Sequence, residues 1–181
     1  MRQRIRLNTK VVQAVHDGRW LLTIDGESDS GTEAFDELTV CNGHYTEPRV
    51  PDIPGSDHFP ARCGHSRNYR SPDGVAGMQV ARVSTAASGA ELSQECAGAA
   101  DRGYWCGSDK AARSKKTEHL KNVTSCGPIR RLIDDGRIEL ENQTLIGPVD
   151  SLVFATGYHY RFPFLSEDLI RVRDNWVTPL Y

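Results

Sequence analysis

The chain is short of several features that would have placed it quickly. None of its apolar runs approaches the roughly 20 residues that a membrane-spanning helix needs. Met1–Lys10 carries charge with no apolar segment behind it, so it does not read as a signal peptide. Charge of one sign is missing too: 22 Lys and Arg face 24 Asp and Glu, a net charge of -2 over 181 residues. A general binder of nucleic acid or membrane surfaces would be strongly basic. The five cysteines (41, 63, 96, 106 and 126) are odd in number and scattered, with no C-x-x-C pair. That argues against a zinc or disulfide framework and fits reduced thiols in a cytoplasmic protein. Asn122-Val-Thr124 and Asn142-Gln-Thr144 match the glycosylation pattern, but without a signal peptide they read as chance.

What is present is mostly strand-like. Ile5, Leu7, Val11, Val12 and Val15 alternate loosely, Asp17-Gly18 is a tight-turn pair, and Trp20–Ile24 follows. This opening fits a small β-meander or a chain whose first part is missing. A short internal repeat comes next. Asp36, Leu38 and Gly43 recur as Asp150, Leu152 and Gly157, each at the end of an apolar run. Both runs read as buried strands ending in a polar residue, Asn42 or Thr156, and a glycine. Glycine there permits a turn or a close approach that Cβ would block. If the repeat is real, the two strands bracket one domain inserted in another. Pro48, Pro51, Pro54 and Gly55 mark a linker.

The middle reads as a β-α-β unit from Val80 to Cys106. Met78–Val83 alternates, Ser84–Gly89 is a run of small residues, and Leu92, Cys96, Ala99 and Ala100 form one helical face. Ser108–Asn122 carries Lys110, Arg113, Lys115, Lys116 and Lys121, and on composition alone is a solvated loop. Arg137–Leu140 and Thr144–Ile146 alternate as strands, with Asp134-Asp135-Gly136 as a hairpin turn.

A turn of small residues between a strand and a helix is how α/β proteins hold a pyrophosphate. The backbone approaches the phosphate, and the helix N-terminus offers N–H groups and a positive dipole end. In the G-x-G-x-x-G pattern the three positions here are Ser84, Ala86 and Gly89, so one glycine survives. Alone this is a weak signal.

Several stretches together resemble the flavin-containing monooxygenase family. They are Cys41–Pro48 with Ile53-Pro-Gly55, then Phe59–Ser66 against F-x-G-x-x-x-H-S with Ala61 for Gly, then Met78–Glu95 including Ser88-Gly89. Leu152–Tyr158 and Phe162–Leu165 resemble the family's A-T-G-Y segment. The resemblance implies an α/β chain in which an NADP-binding dinucleotide fold is inserted between strands of an incomplete FAD-binding domain. The expected boundaries are 1–55 and 149–181 for the FAD part and 56–148 for the NADP part. It implies FAD and NADP as cofactors, and oxygenation of a small amine or thioether with NADPH and O2. Cofactor contacts are expected at Asn42, Gly43, His65, Ser84, Ala86, Ser88, Gly89, Ser108, Lys110, Arg113, Thr156 and Gly157, with His65 and Tyr69 near the domain junction. No catalytic residue or metal ligand is singled out.

The departures have consequences. The family's first G-x-G-x-x-G, which grips the FAD pyrophosphate, and the part that closes the FAD domain are not in this sequence. Ser84 and Ala86 add side chains where a phosphate backbone should pass. Lys110 and Arg113 are the nearest substitutes for the arginine that usually meets the 2′-phosphate. Two expectations follow: an impaired monooxygenase fragment of low solubility, or a non-catalytic remnant with weak nucleotide binding.

Overall fold

A computed structural model describes residues 5–27, 30–84, 87–108 and 119–179, the side chains of 87–90 excepted. The chain divides into two units, one made of 1–47 with 158–181 and the other of 48–157.

The first unit is antiparallel. β1 (Thr9–Asp17), β2 (Arg19–Gly26) and β3 (Gly31–Phe35) form a three-stranded sheet in chain order. Asp17-Gly18 makes the β1–β2 turn as its sequence predicts, with Gly18 at φ 70°, a conformation glycine adopts without strain. Ala14, Leu22 and Ile24 are buried under Phe35, Leu38, Phe164 and Leu165. Ile5 and Leu7, read as the start of the strand pattern, precede β1 and are exposed. The short strands β4 (Glu47–Pro48) and β13 (Tyr158–His159) lie where the chain passes between units. β14 (Arg171–Arg173) and β15 (Trp176–Thr178) form a final hairpin.

The second unit is α/β. β5 (Arg62–His65), β6 (Gln79–Val83), β7 (Arg102–Cys106), β8 (Val123–Cys126) and β12 (Ser151–Phe154) form a parallel sheet in the order β5-β12-β6-β7-β8. Helix α1 (Ala87–Ala97) connects β6 to β7, so the β-α-β unit expected from Val80 to Cys106 is present. Its face follows the predicted spacing. Leu92, Cys96 and Ala100 are buried, and Val75, Val80, Cys96 and Ala100 pack together. Ser93 is buried as well, and Ala99 is half-buried beyond the end of the helix. Asn122 closes that end, its amide donating to the carbonyls of Ala97 (2.8 Å) and Ala100 (2.9 Å). These are carbonyls that the helix itself leaves unpaired.

The opposite face of the sheet is covered by a small antiparallel sheet of β9 (Ile129–Leu132), β10 (Ile138–Leu140) and β11 (Leu145–Ile146). The predicted turn at Asp134–Gly136 joins β9 to β10, with Gly136 at φ 84°. Leu132, Ile138 and Leu140 pack onto Ala81, Tyr104, Cys106, Leu152 and Phe154. Ile138 and Leu152 are fully buried, each burial contributing roughly 1.5–3 kcal/mol.

One expectation changes. Leu38–Asn42 is not a strand, because no described strand flanks it to supply ladder partners. Its counterpart Leu152–Phe154 is a central strand. Within the second unit, which runs from 48 to 157, the chain packs closely from its start. Ile53 is already core, Pro54 O accepts from Leu132 N (2.8 Å), and β12 pairs on both sides within the second unit. The fit is closest at Gly55, where an added Cβ would lie 2.1 Å from Leu132 O.

The alternating strand at Met78–Val83 carries Arg82, which is 0% exposed. A strand inside a parallel sheet is covered on both faces. Arg82 shares the α1-side face with Val80, and none of its guanidinium nitrogens has a hydrogen-bond partner. A Cβ on Gly103 would come within 3.0 Å of its Nη1. A buried charge without a partner costs several kcal/mol. Arg82→Val should therefore stabilise the chain by roughly 1–4 kcal/mol, read as a higher melting temperature. An unchanged or lower one would mean that the guanidinium is satisfied in solution.

Candidate functional site

Because the five strands of the second unit are parallel, their carboxyl ends share one edge. His65 ends β5, Ser84 follows β6, Gly107 and Ser108 follow β7, and Ala155–Gly157 follow β12. Residues up to 92 positions apart in sequence are thus gathered. The strand order reverses between β6 and β12, since β7 and β8 extend to one side and β12 and β5 to the other. Open α/β sheets bind ligands in the crevice at such a switch point.

The edge is built by backbone. Ser84 N–H donates to Cys106 O (2.9 Å), Ala155 N–H to Val83 O (2.9 Å), and Gly107 N–H to Cys126 O (3.3 Å). Ser84 is 1% exposed, so its hydroxymethyl group is directed into the protein rather than over the open edge. The first glycine-to-serine exchange is accommodated by burial, which moves the steric question to position 86. Ser88 and Gly89 lie in the first turn of α1, where no acidic residue opposes an anion. Ala86, Lys110 and Arg113, together with Lys115 and Lys116, lie outside the described residues.

His65 is buried and fixed at both ring nitrogens. Nδ1 accepts from Arg67 N–H (3.1 Å), which assigns the proton to Nε2, and Nε2–H then donates to Gly157 O (3.0 Å). Gly157 O also accepts from Arg49 N–H (2.9 Å), and the Thr156 hydroxyl donates to Arg49 O. His65 therefore ties the end of β5 to the point where the chain leaves the second unit. Burial lowers its pKa below the usual 6.5, against the hydrogen bond to Gly157, and the nearby Arg67 charge adds to the lowering. Gly157 is at φ 82° with open space where a Cβ would stand. The conformation, not a close approach, is what requires glycine there, and Gly43 at φ 70° is the same. Tyr69, expected beside His65, has its hydroxyl 3.5 Å from Cys96 Sγ.

Asn42 and Gly43 belong to the first unit and are not part of this edge. They line a cavity of about 490 Å³ with Val11, Leu38, Val40 and Phe164. Arg161 and Glu47, also on its wall, form an ion pair at 2.6 Å that holds the Glu47 carboxyl below its usual range. Beside it His44 stacks on Tyr160 (5.0 Å, 28°) and touches Tyr45, whose ring meets Tyr158 edge-on. Sequence reasoning missed this cluster. Its signal was the aromatic pair that follows each repeat glycine, His44-Tyr45 and Tyr158-His159. It also missed that Cys106 and Cys126 are register partners on β7 and β8.

A family model described as Flavin-binding monooxygenase-like matches residues 3–110 and 122–181. The chain belongs to that family. It is 36% identical over 181 residues to flavin-containing monooxygenase FMO GS-OX5 of Arabidopsis thaliana, covering 98% of this chain and 39% of the relative. S-allyl-L-cysteine S-oxygenase from Allium sativum superposes with a TM-score of 0.85 at 31% identity, over 99% of this chain and 42% of that one. Tmm from Pelagibacter sp. strain HTCC7211 shares the fold, with a TM-score of 0.81 at 21% identity over 94% of this chain and 38% of that one. The chain thus spans about two-fifths of the length of these relatives. Flavin-binding and monooxygenase character are those of the family. Among the described residues no group of His, Cys, Asp or Glu could hold a metal, and no helix is long and apolar enough to cross a membrane.

The His65 geometry sets a pH dependence. A protonated ring cannot accept from Arg67 N–H, and its folded pKa lies below the unfolded 6.5. Its contribution is therefore complete above about pH 6.5 and is lost as pH falls below that value. The melting temperature should drop between about pH 7.5 and about pH 5. His65→Asn, which keeps an acceptor for Arg67 N–H but does not titrate, should start lower and slope less. Parallel slopes would show that other groups control the acid response.

Proposed function

We propose that the chain is the nucleotide-handling part of a flavin-dependent monooxygenase whose substrate is a small thioether, with amines as the less favoured class. The second unit, in this reading, takes NADPH at the carboxyl edge of its parallel sheet, and the first unit contributes to the FAD domain. The observation that carries it is the convergence of Ser84, Ser108, Thr156 and Gly157 at the switch point beside the N-terminus of α1. The pyrophosphate would lie against the first turn of α1, where N–H groups and the dipole favour an anion. The 2′-phosphate would be met by Lys110 and Arg113 after β7, through charge-assisted hydrogen bonds. Sulfur is favoured because the relative of TM-score 0.85 is an S-oxygenase by name. Bound NADPH supplies a hydride; the chain's own residues bind it, orient it and hold the edge rigid.

FAD is a different matter. Among its described residues the first unit has no helix, so it offers no helix N-terminus to the flavin pyrophosphate. The residues present do not fit an independent FAD grip. The cavity beside Asn42 and Gly43 is at most part of a wall. A second reading, a non-catalytic remnant with weak nucleotide binding, draws on the unpartnered Arg82 and on Ser84 and Ala86 in glycine positions.

Two measurements separate these readings. In calorimetric titration NADPH should bind about tenfold tighter than NADH, and Lys110→Ala with Arg113→Ala should erase the difference. Absence of binding to either nucleotide selects the remnant. With FAD, NADPH and a thioether, the chain should form no sulfoxide above background, and after desalting should show no flavin absorbance between roughly 350 and 500 nm. Sulfoxide formation by the chain alone would place an FAD site within it.

A further inference from the structure

We propose that Cys106 and Cys126 form a reversible disulfide at the carboxyl edge of the parallel sheet, a modification site for a hydroperoxide oxidant. The two are direct register partners at the ends of adjacent parallel strands. Both side chains point to the same face and belong to the same buried cluster. Neighbouring strands lie about 4.8 Å apart, within the roughly 4.4–6.8 Å between Cα atoms that a disulfide spans. The backbone already holds both ends. Cys106 O accepts from Ser84 N–H, and Cys126 O accepts from Gly107 N–H.

The sulfurs also differ in role. The Cys126 thiol is directed toward Thr124 O (3.6 Å), and it receives a hydrogen bond from Cys106. That bond lowers the Cys126 pKa and, with burial, raises that of Cys106. Cys106 is 0% exposed and Cys126 6% exposed. Cys126 is therefore the attacking sulfur and Cys106 the resolving one. The Cys126 thiolate attacks one peroxide oxygen and the O–O bond breaks. This leaves a sulfenic acid, and the departing hydroxide takes a proton to become water. Cys106 sulfur then attacks Cys126 sulfur, the S–S bond forms and the S–O bond breaks. The second oxygen leaves as water with the Cys106 proton. The thiol pair loses two electrons and the peroxide gains two.

The test uses the full chain, reduced, desalted and treated with hydrogen peroxide. Cys106 and Cys126 fall in separate tryptic peptides, Gly103–Lys110 and Asn122–Arg130. Under non-reducing conditions the two should appear linked, with the loss of two hydrogens, and dithiothreitol should separate them. In urea the same treatment should scatter linkages among the five cysteines. Cys106→Ser should leave a sulfenic acid on Cys126 that dimedone traps, whereas Cys126→Ser should leave Cys106 unmodified. Should either variant fail to fold, peptide mapping of the natural chain decides. Recovery of both peptides as free thiols while Cys41 and Cys63 oxidise would overturn the proposal. So would a sulfinic acid at Cys126 without the linked pair.

Discussion

The parallel ladder of β12 between β5 and β6 is the interaction on which the second unit depends. β5 and β6 are the nearer in sequence, yet they do not pair with each other. Ser151–Phe154 fills the space between them, in register with Arg62–His65 on one side and Val80–Val83 on the other. The same strand carries Thr156 and Gly157 to the edge where Ser84 follows β6. It also presents Leu152 and Phe154 to the small sheet of β9–β11. Backbone pairing, core formation and assembly of the candidate site are therefore one event, and it waits for a segment more than 65 residues downstream of β6. Such non-local pairing is slow to form and exposes unpaired edges until it does.

The same ladder limits what the sequence can vary. A strand covered on both faces has no polar side, so Arg82 carries a charge into a region without a partner. Ser84, in contrast, is absorbed because its side chain points into the protein and its N–H is used by Cys106. Two polar residues of the same strand region, two positions apart, thus differ in consequence. One is a cost to stability borne by the core. The other is nearly silent in the fold, leaving the recognition chemistry to the turn that follows.

Much of the second unit was legible. The β-α-β unit, the Asp134–Gly136 turn and the buried face of α1 follow from periodicity and turn chemistry, both local. The alternation of Gln79–Val83 signalled a strand, which it is, without saying that both of its faces are covered. Leu38–Asn42 misled because apolar character signals burial but not a ladder, and the ladder needs neighbours that a sequence window does not contain. Pro48–Gly55, rich in breakers and read as a linker, packs as core at Ile53 and as backbone at Pro54 and Gly55. Cysteine spacing hid the Cys106–Cys126 pair, because register brings together what 20 residues of chain separate.

The closure of α1 by Asn122 bears on the two glycosylation patterns. Glycosyl transfer requires the asparagine amide nitrogen as nucleophile. In Asn122 that nitrogen donates to both Ala97 O and Ala100 O, and the side chain is half-buried. A sugar there would displace a contact that terminates the helix, so folding itself shields the position. Asn142 is built the other way round. Its oxygen accepts from Thr144 N–H (3.0 Å) in an exposed turn, so the contact the fold uses there is made by the oxygen. Two identical-looking tripeptides thus differ by which end of one amide the fold has claimed.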